Sequence, residues 1–193
     1  WRSLGSEAGH APVLVPEVVS ALAPRADGTY VDCTVGLGGH TAALLAAGAG
    51  KVIGLDRDAG ALERTRARLA GESSPGSTFE LVHADFRALP AALAARGLSQ
   101  VDGILADLGV SSWQLDDAER GFSFRQAGPP DMRMDRSIGR TLAEWLATIS
   151  EPELASVIRE FGEERHARRV AAAIPRAREA GRLGNTTELA SVV

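Results

Sequence analysis

The chain has 193 residues, 45% of them apolar, and a formal net charge of −4. This excludes intrinsic disorder and argues against an autonomous nucleic-acid binder, which carries a basic field, while leaving room for an enzyme with a small basic patch. The single cysteine, Cys33, forbids an internal disulfide and fits a reducing, cytoplasmic setting, and no apolar run reaches the ~18 residues of a membrane span.

The N-terminus, Trp1-Arg2-Ser3, lacks the apolar core of a signal peptide, and its lack of a methionine suggests an incomplete chain. From Tyr30 to Asp107 the pattern reads as four βα units. Strands are expected at Thr29–Cys33, Lys51–Asp56, Phe79–His83 and Val101–Asp107, with helices at Thr41–Ala47, Ala59–Ala70 and Arg87–Ala95. Such alternation implies an α/β fold with a parallel sheet covered on both faces. The stretch from Gly71 to Ser77 is a surface loop by composition. Leu108 to Gly139 shows no sustained period, and so long a loop in a compact domain is usually functional.

Beyond Gly139 the chain turns helical. Thr141 with Glu144, Ser150 with Glu153, and Asn185 with Glu188 have capping-box spacing, and Pro152 suits a first helical turn. Pro175 is expected to kink or end a helix beginning near Glu163. With only these four strands, the strand carrying Asp107 lies at an exposed edge, a hazard that calls for a second copy of the chain or for further strands. The expectation is that the sequence stops short of those strands.

The chemistry concentrates at the strand ends. Asp32-Cys33-Thr34-Val35-Gly36-Leu37-Gly38-Gly39-His40 joins a strand to a helix through glycines, which let backbone N–H groups approach a ligand. Asp56 ends the second strand twenty positions after Gly36, where an acid can bind ribose hydroxyls. The bland alternative is a tight turn that needs glycine for its own geometry. Asp32 repels a pyrophosphate and attracts an ammonium, which tilts the reading from a dinucleotide toward S-adenosyl-L-methionine. Thr41 occupies the place of a third fingerprint glycine, against a nicotinamide enzyme. Phe86 follows the third strand and suits an adenine face, or equally the core. Asp107 ends the fourth strand, where it can accept hydrogen bonds from an exocyclic amine.

Arg120-Gly121-Phe122-Ser123-Phe124 and Asp131-Met132-Arg133-Met134-Asp135 suit either stacking on a splayed base or a lid packed on the domain. Between Arg159 and Arg182, seven arginines and four glutamates read as a solvated helix face or an RNA contact. The histidines lack metal-ligand spacing, so no metal site is expected.

Taken together, these blocks resemble one family, the bacterial 16S ribosomal RNA (cytosine-N4) methyltransferases. The likeness rests on His10-Ala11-Pro12-Val13-Leu14, the glycine loop, Gly54-Leu55-Asp56-Arg57-Asp58, and Asp107-Leu108-Gly109-Val110-Ser111-Ser112-Trp113-Gln114-Leu115-Asp116. It extends through Arg120–Phe124, Gly128–Asp135 and Phe161-Gly162-Glu163-Glu164-Arg165. The resemblance implies a Rossmann-like S-adenosyl-L-methionine-dependent methyltransferase sheet over residues 10–110. It also implies an active-site loop over 111–139 and a helical inserted domain over 140–193 that returns incompletely to the sheet. The implied reaction is N4-methylation of a decoding-centre cytosine in 16S rRNA of the small ribosomal subunit. The implied cofactor contacts are Gly38, Gly39, His40, Asp56, Phe86, Asp107 and Gln114, and His40 and Gln114 come from the resemblance alone. Asp107 is also expected to be the catalytic acceptor of the amine. The rival reading is a catalytically inactive RNA-binding or scaffold protein that keeps the fold.

Overall fold

The structure is a computed structural model and describes residues 12–71 and 76–193. His10, Ala11 and part of the expected surface loop lie outside the described residues. The chain divides into two compact units, with the boundary between Gly109 and Val110.

The first unit is a parallel sheet of four strands: β1 (Thr29–Asp32), β2 (Lys51–Asp56), β3 (Thr78–His83) and β4 (Gly103–Leu105). Their order is β3-β2-β1-β4. The chain thus steps outward from β1 to β3 and then returns to the other side of β1. Right-handed crossovers then place the connecting helices on opposite faces. Helices α2 (Gly39–Ala46) and α3 (Ala59–Leu69) link β1 to β2 and β2 to β3, and α4 (Leu89–Ala94) leads into β4.

The cores follow from strand alternation. Tyr30 and Val52 meet Leu44, Leu45 and Leu69 on one face, while Val31, Cys33, Ile53 and Leu55 meet Ala92 on the other. Each fully buried leucine or isoleucine there contributes roughly 1.5–3 kcal/mol. Helix α1 (Val15–Leu22), which was not among the expected elements, adds Leu22 to the first face.

The fourth strand is shorter than the expected Val101–Asp107, and its C-terminal end is set by a side chain from the β1 turn. Cys33 N–H donates to the Leu105 carbonyl at 2.8 Å, but the Asp107 N–H turns to the Thr34 hydroxyl at 2.7 Å. A side chain there replaces the ladder partner, so pairing ends and the chain leaves the sheet. Ile104 on this edge strand is half exposed.

The second unit is helical: α5 (Ser112–Asp116), α6 (Leu142–Thr148), α7 (Glu151–Gly162), α8 (Ala167–Glu179) and α9 (Thr186–Val192). Leu146, Leu154, Ala171 and Ile174 form its core. The capping boxes at Thr141 and Ser150 form in full. Asn185 caps α9 alone, because the Glu188 carboxylate instead accepts the Gly184 N–H.

Two expectations need correction. The stretch from Leu108 to Gly139 is not wholly irregular: α5 opens with a third capping box, Ser111 with Gln114, and a 3-10 turn follows at Ala118–Arg120. Pro175 does not end its helix. Helix α8 starts at Ala167 rather than near Glu163, where the backbone is left-handed, and it continues four residues past the proline. Ala171, Ile174 and Ala177 are buried along α8, and that packing outweighs the ~3 kcal/mol an interior proline costs.

Candidate functional site

The turn between β1 and α2 is held from several sides. Its closing hydrogen bond runs from Gly38 N–H to the Val35 carbonyl, 2.8 Å. Thr65 on α3 donates its hydroxyl to the Gly36 carbonyl at 2.8 Å, and Arg68 donates to the Leu37 carbonyl at 3.1 Å.

The glycines divide by purpose. Gly36 (φ +53°) and Gly38 (φ +76°) both occupy the left-handed region, which disfavours side chains. A Cβ on Gly38 would lie 2.6 Å from Thr65 Cγ2, and one on Gly39 would lie 2.4 Å from Pro12 Cγ. Those two positions are glycine because protein packs against them. A Cβ on Gly36 would meet no side chain within 4 Å, the nearest atom being the Thr34 carbonyl oxygen at 4.0 Å, while its own N–H and carbonyl are bonded to Asp56 and Thr65.

Three acids stand at the strand ends, in different states. Asp32 is fully buried, accepting the Thr34 N–H at 3.1 Å and the Thr41 hydroxyl at 2.8 Å. Burial pushes its carboxyl above the usual range, and the two donors oppose that rise. Asp32 is therefore a brace between β1 and α2. The expected direct attraction of a ligand ammonium does not match its enclosure.

Asp56 is half-buried. Its Oδ2 accepts the Gly36 N–H at 2.7 Å and its Oδ1 accepts the Asp58 N–H at 2.8 Å. Burial raises this carboxyl too, and the backbone donors pull the other way. A carboxylate offers about four lone-pair sites, so these two bonds leave acceptor capacity. The acid and the glycine turn thus face each other directly.

Asp85 follows β3. The Arg87 side chain and backbone N–H hold its carboxyl down to about 2, and Arg57 adds to the effect. Both arginines of these loops are drawn to this one acid, Arg57 at 3.7 Å and Arg87 at 2.8 Å. Phe86 begins the next turn with 41% of its surface exposed. Its ring is a surface feature rather than core.

The loop after β4 lies across the gap from the β1 turn. Asp107 is tethered by its backbone to Thr34, and its side chain is 46% exposed. His40, in the first turn of α2, is only 6% exposed and places Nε2 at 3.7 Å from Asp107 Oδ2. The order β3-β2-β1-β4 puts the direction change between β1 and β4. Open α/β sheets bind ligands at such a switch point, beyond the carboxyl ends of the strands.

Of the expected contacts, Gly38, Gly39, His40, Asp56, Phe86 and Asp107 all belong to this first unit. Gln114 belongs to the second, buried within the α5 capping box, where its side-chain oxygen accepts the Ser111 N–H at 3.0 Å. Also in the second unit, buried Arg120 donates to the carbonyls of Arg133 and Met134 and lies 5.2 Å from the Trp113 ring centre. Buried Asp131 accepts from the Arg133 guanidinium at 2.7 Å. Phe124 and Met132 are exposed, whereas Phe122 and Met134 are partly covered. Among the described residues, no group of three or more His, Cys, Asp or Glu side chains is arranged to hold a metal ion.

Thr34, Thr65 and Arg68 support this site without having been singled out from the sequence. Thr65 alone left a signal, a hydroxyl in the otherwise apolar stripe Ala61, Leu62, Leu69 of α3.

Comparison with known proteins adds the following. Residues 7–193 match the MraW methylase family. A protein of Sorangium cellulosum named "Ribosomal RNA small subunit methyltransferase H" is 50% identical over 184 residues, covering 95% of this chain and 58% of that relative. Proteins of the same name from Burkholderia mallei and Burkholderia pseudomallei are 50% identical over 196 residues, covering 98% of this chain and 61% of each relative. The chain therefore spans about three fifths of the length of the relatives it matches.

Proposed function

The chain belongs to the MraW methylase family, and from that premise we propose that it acts in S-adenosyl-L-methionine-dependent methylation of a cytosine N4 amine in 16S rRNA, within the decoding centre of the small ribosomal subunit. One observation carries the reading. The glycine turn, Asp56 and Asp107 converge at the carboxyl edge of β1, β2 and β4, where the strand order reverses.

The residues present fit the cofactor. Asp56 keeps acceptor sites for ribose hydroxyls, no side chain crowds Gly36, and Phe86 offers an exposed ring to the adenine. Arg57 and Arg87, the basic side chains of these loops, are both paired with Asp85, which suits a phosphate-free nucleoside. Gly38 and Gly39 act by shaping the turn, and His40 contributes from the first helical turn. For Gln114 the proposed contact rests on the family pattern alone.

When bound, the cofactor supplies an electrophilic methyl group on a sulfonium. The cytosine amine is a weak nucleophile, since its lone pair is conjugated with the ring. The protein must therefore hold the amine in line and accept its hydrogens. Such positioning can lower a barrier by about 7–11 kcal/mol at best. Asp107 is the proposed acceptor: its carboxylate is accessible and its backbone is pinned by Thr34. The second unit's loop, with Phe124 exposed over a frame built on Arg120 and Asp131, is the proposed RNA contact. The cytoplasm is the proposed compartment; no helix among the described residues is long and apolar enough to cross a membrane.

The test is direct. The gene product as encoded in its genome is incubated with methyl-tritiated S-adenosyl-L-methionine and small subunits lacking the modification. Label on N4 of one 16S rRNA cytosine is expected. No incorporation, or label on another position, contradicts the reading.

A further inference from the structure

His40 combines burial, an unpartnered atom and a close carboxylate. The side chain is 6% exposed, its Nδ1 has no hydrogen-bond partner, and its Nε2 lies 3.7 Å from Asp107 Oδ2. A buried N–H without an acceptor costs more than an under-used lone pair. The ring proton therefore belongs on Nε2, facing Asp107, and the bare lone pair belongs on Nδ1. The separation exceeds a hydrogen bond, but such contacts often tighten only when substrates bind.

We infer that His40 is a positioning residue for the transfer: its Nε2–H engages one Asp107 oxygen, so that the other is presented to the target amine. The inference rests on the proposed role of Asp107 and deepens it. Asp107 is then held at two points, by Thr34 at the backbone and by His40 at the carboxylate. In the reaction the N4–methyl bond forms and the sulfur–methyl bond breaks, its electron pair remaining on sulfur. The surplus N4 proton passes to the free oxygen of Asp107 and from there to solvent at its exposed side. The charged groups facing His40 are Asp107, from the loop after β4, and Asp32, from the end of β1. Asp32 offers the competing, purely structural role.

The test uses the full gene product with His40→Leu, His40→Gln, Asp107→Asn and the double variant His40→Leu/Asp107→Asn. Gln retains a donor near the position of Nε2. His40→Leu is expected to lower kcat by about 100-fold, in the range of positioned acid–base groups. His40→Gln should recover most of the rate. In the Asp107→Asn background, His40→Leu should cost little more, because the two residues act as one unit. Equal kcat in His40→Leu and wild type, or an equal loss in both backgrounds, overturns the inference. A lack of rescue by Gln does the same. If His40→Leu does not fold, His40→Gln and the ring 15N resonances of His40 serve instead: those resonances must differ between wild type and Asp107→Asn, and identical spectra overturn the pairing. The spectra need no turnover, so an inactive wild type defeats the proposed function while leaving this contact separately judged.

Discussion

Gly38 carries a packing role that the sequence did not announce: its missing Cβ clears space for Thr65, and its φ of +76° is one side chains rarely adopt. Gly38→Ala should therefore destabilise the fold by roughly 2–3 kcal/mol, the sum of left-handed strain and a clash with a packed methyl. Denaturant titration measures this, and an unchanged midpoint would refute the packing account. Asp85 makes a different prediction. Its folded-state value of about 2 lies below the ordinary aspartate value of 3.8, so the unfolded chain binds the extra proton first. The stabilisation is present above pH ~4 and is lost as pH falls toward ~2. Asp85→Asn should therefore be less stable than wild type at neutral pH, with the gap closing on acidification through that window. A gap that widens on acidification has the wrong sign. Asp56 was legible as an acid at a strand end because an α/β unit makes that position special. Asp32 was misread because sequence carries no measure of burial, and enclosure by Thr34 and Thr41 turned an expected attractor into a brace.

At the scale of elements, β1, β2, β3, α2 and α3 were legible to within two residues at each end, since apolar runs and glycine turns mark them. β4 was overextended because the Thr34 hydroxyl takes the Asp107 N–H, a tertiary event with no local signature. The capping boxes at Thr141 and Ser150 were readable from spacing, because their partners lie within one turn. Thr141→Ala and Ser150→Ala should each cost about 1 kcal/mol, measurable by thermal or chemical unfolding; a combined loss near zero would show that these caps do not hold α6 and α7. Of the two outcomes expected at Pro175, ending the helix does not occur, because packing outweighs backbone propensity once Ala171 and Ile174 are buried. Thr65 spans element and site. Thr65→Val keeps the volume but removes the bond to the Gly36 carbonyl, so it should cost about 1 kcal/mol and weaken cofactor binding. A loss of stability with unaltered affinity would separate the turn from ligand binding.

For the molecule as a whole, we propose a nucleoside pocket at the carboxyl edge of the first unit, beside an acid that receives the amine. The strand-end placement of the glycine turn, Asp56 and Asp107 was visible in sequence because each is set by position in a βα unit. The two-point hold on Asp107 was not, since Thr34 and His40 reach it only through the parallel pairing of β1 with β4. The most direct measurement is calorimetric titration of S-adenosyl-L-methionine into the full gene product and its Asp56→Ala variant. One site is expected in the wild type, with binding at least about tenfold weaker in the variant, as follows from loss of hydrogen bonds to a charged acceptor. Equal affinity in both proteins, or no binding to the wild type, would contradict the proposed pocket.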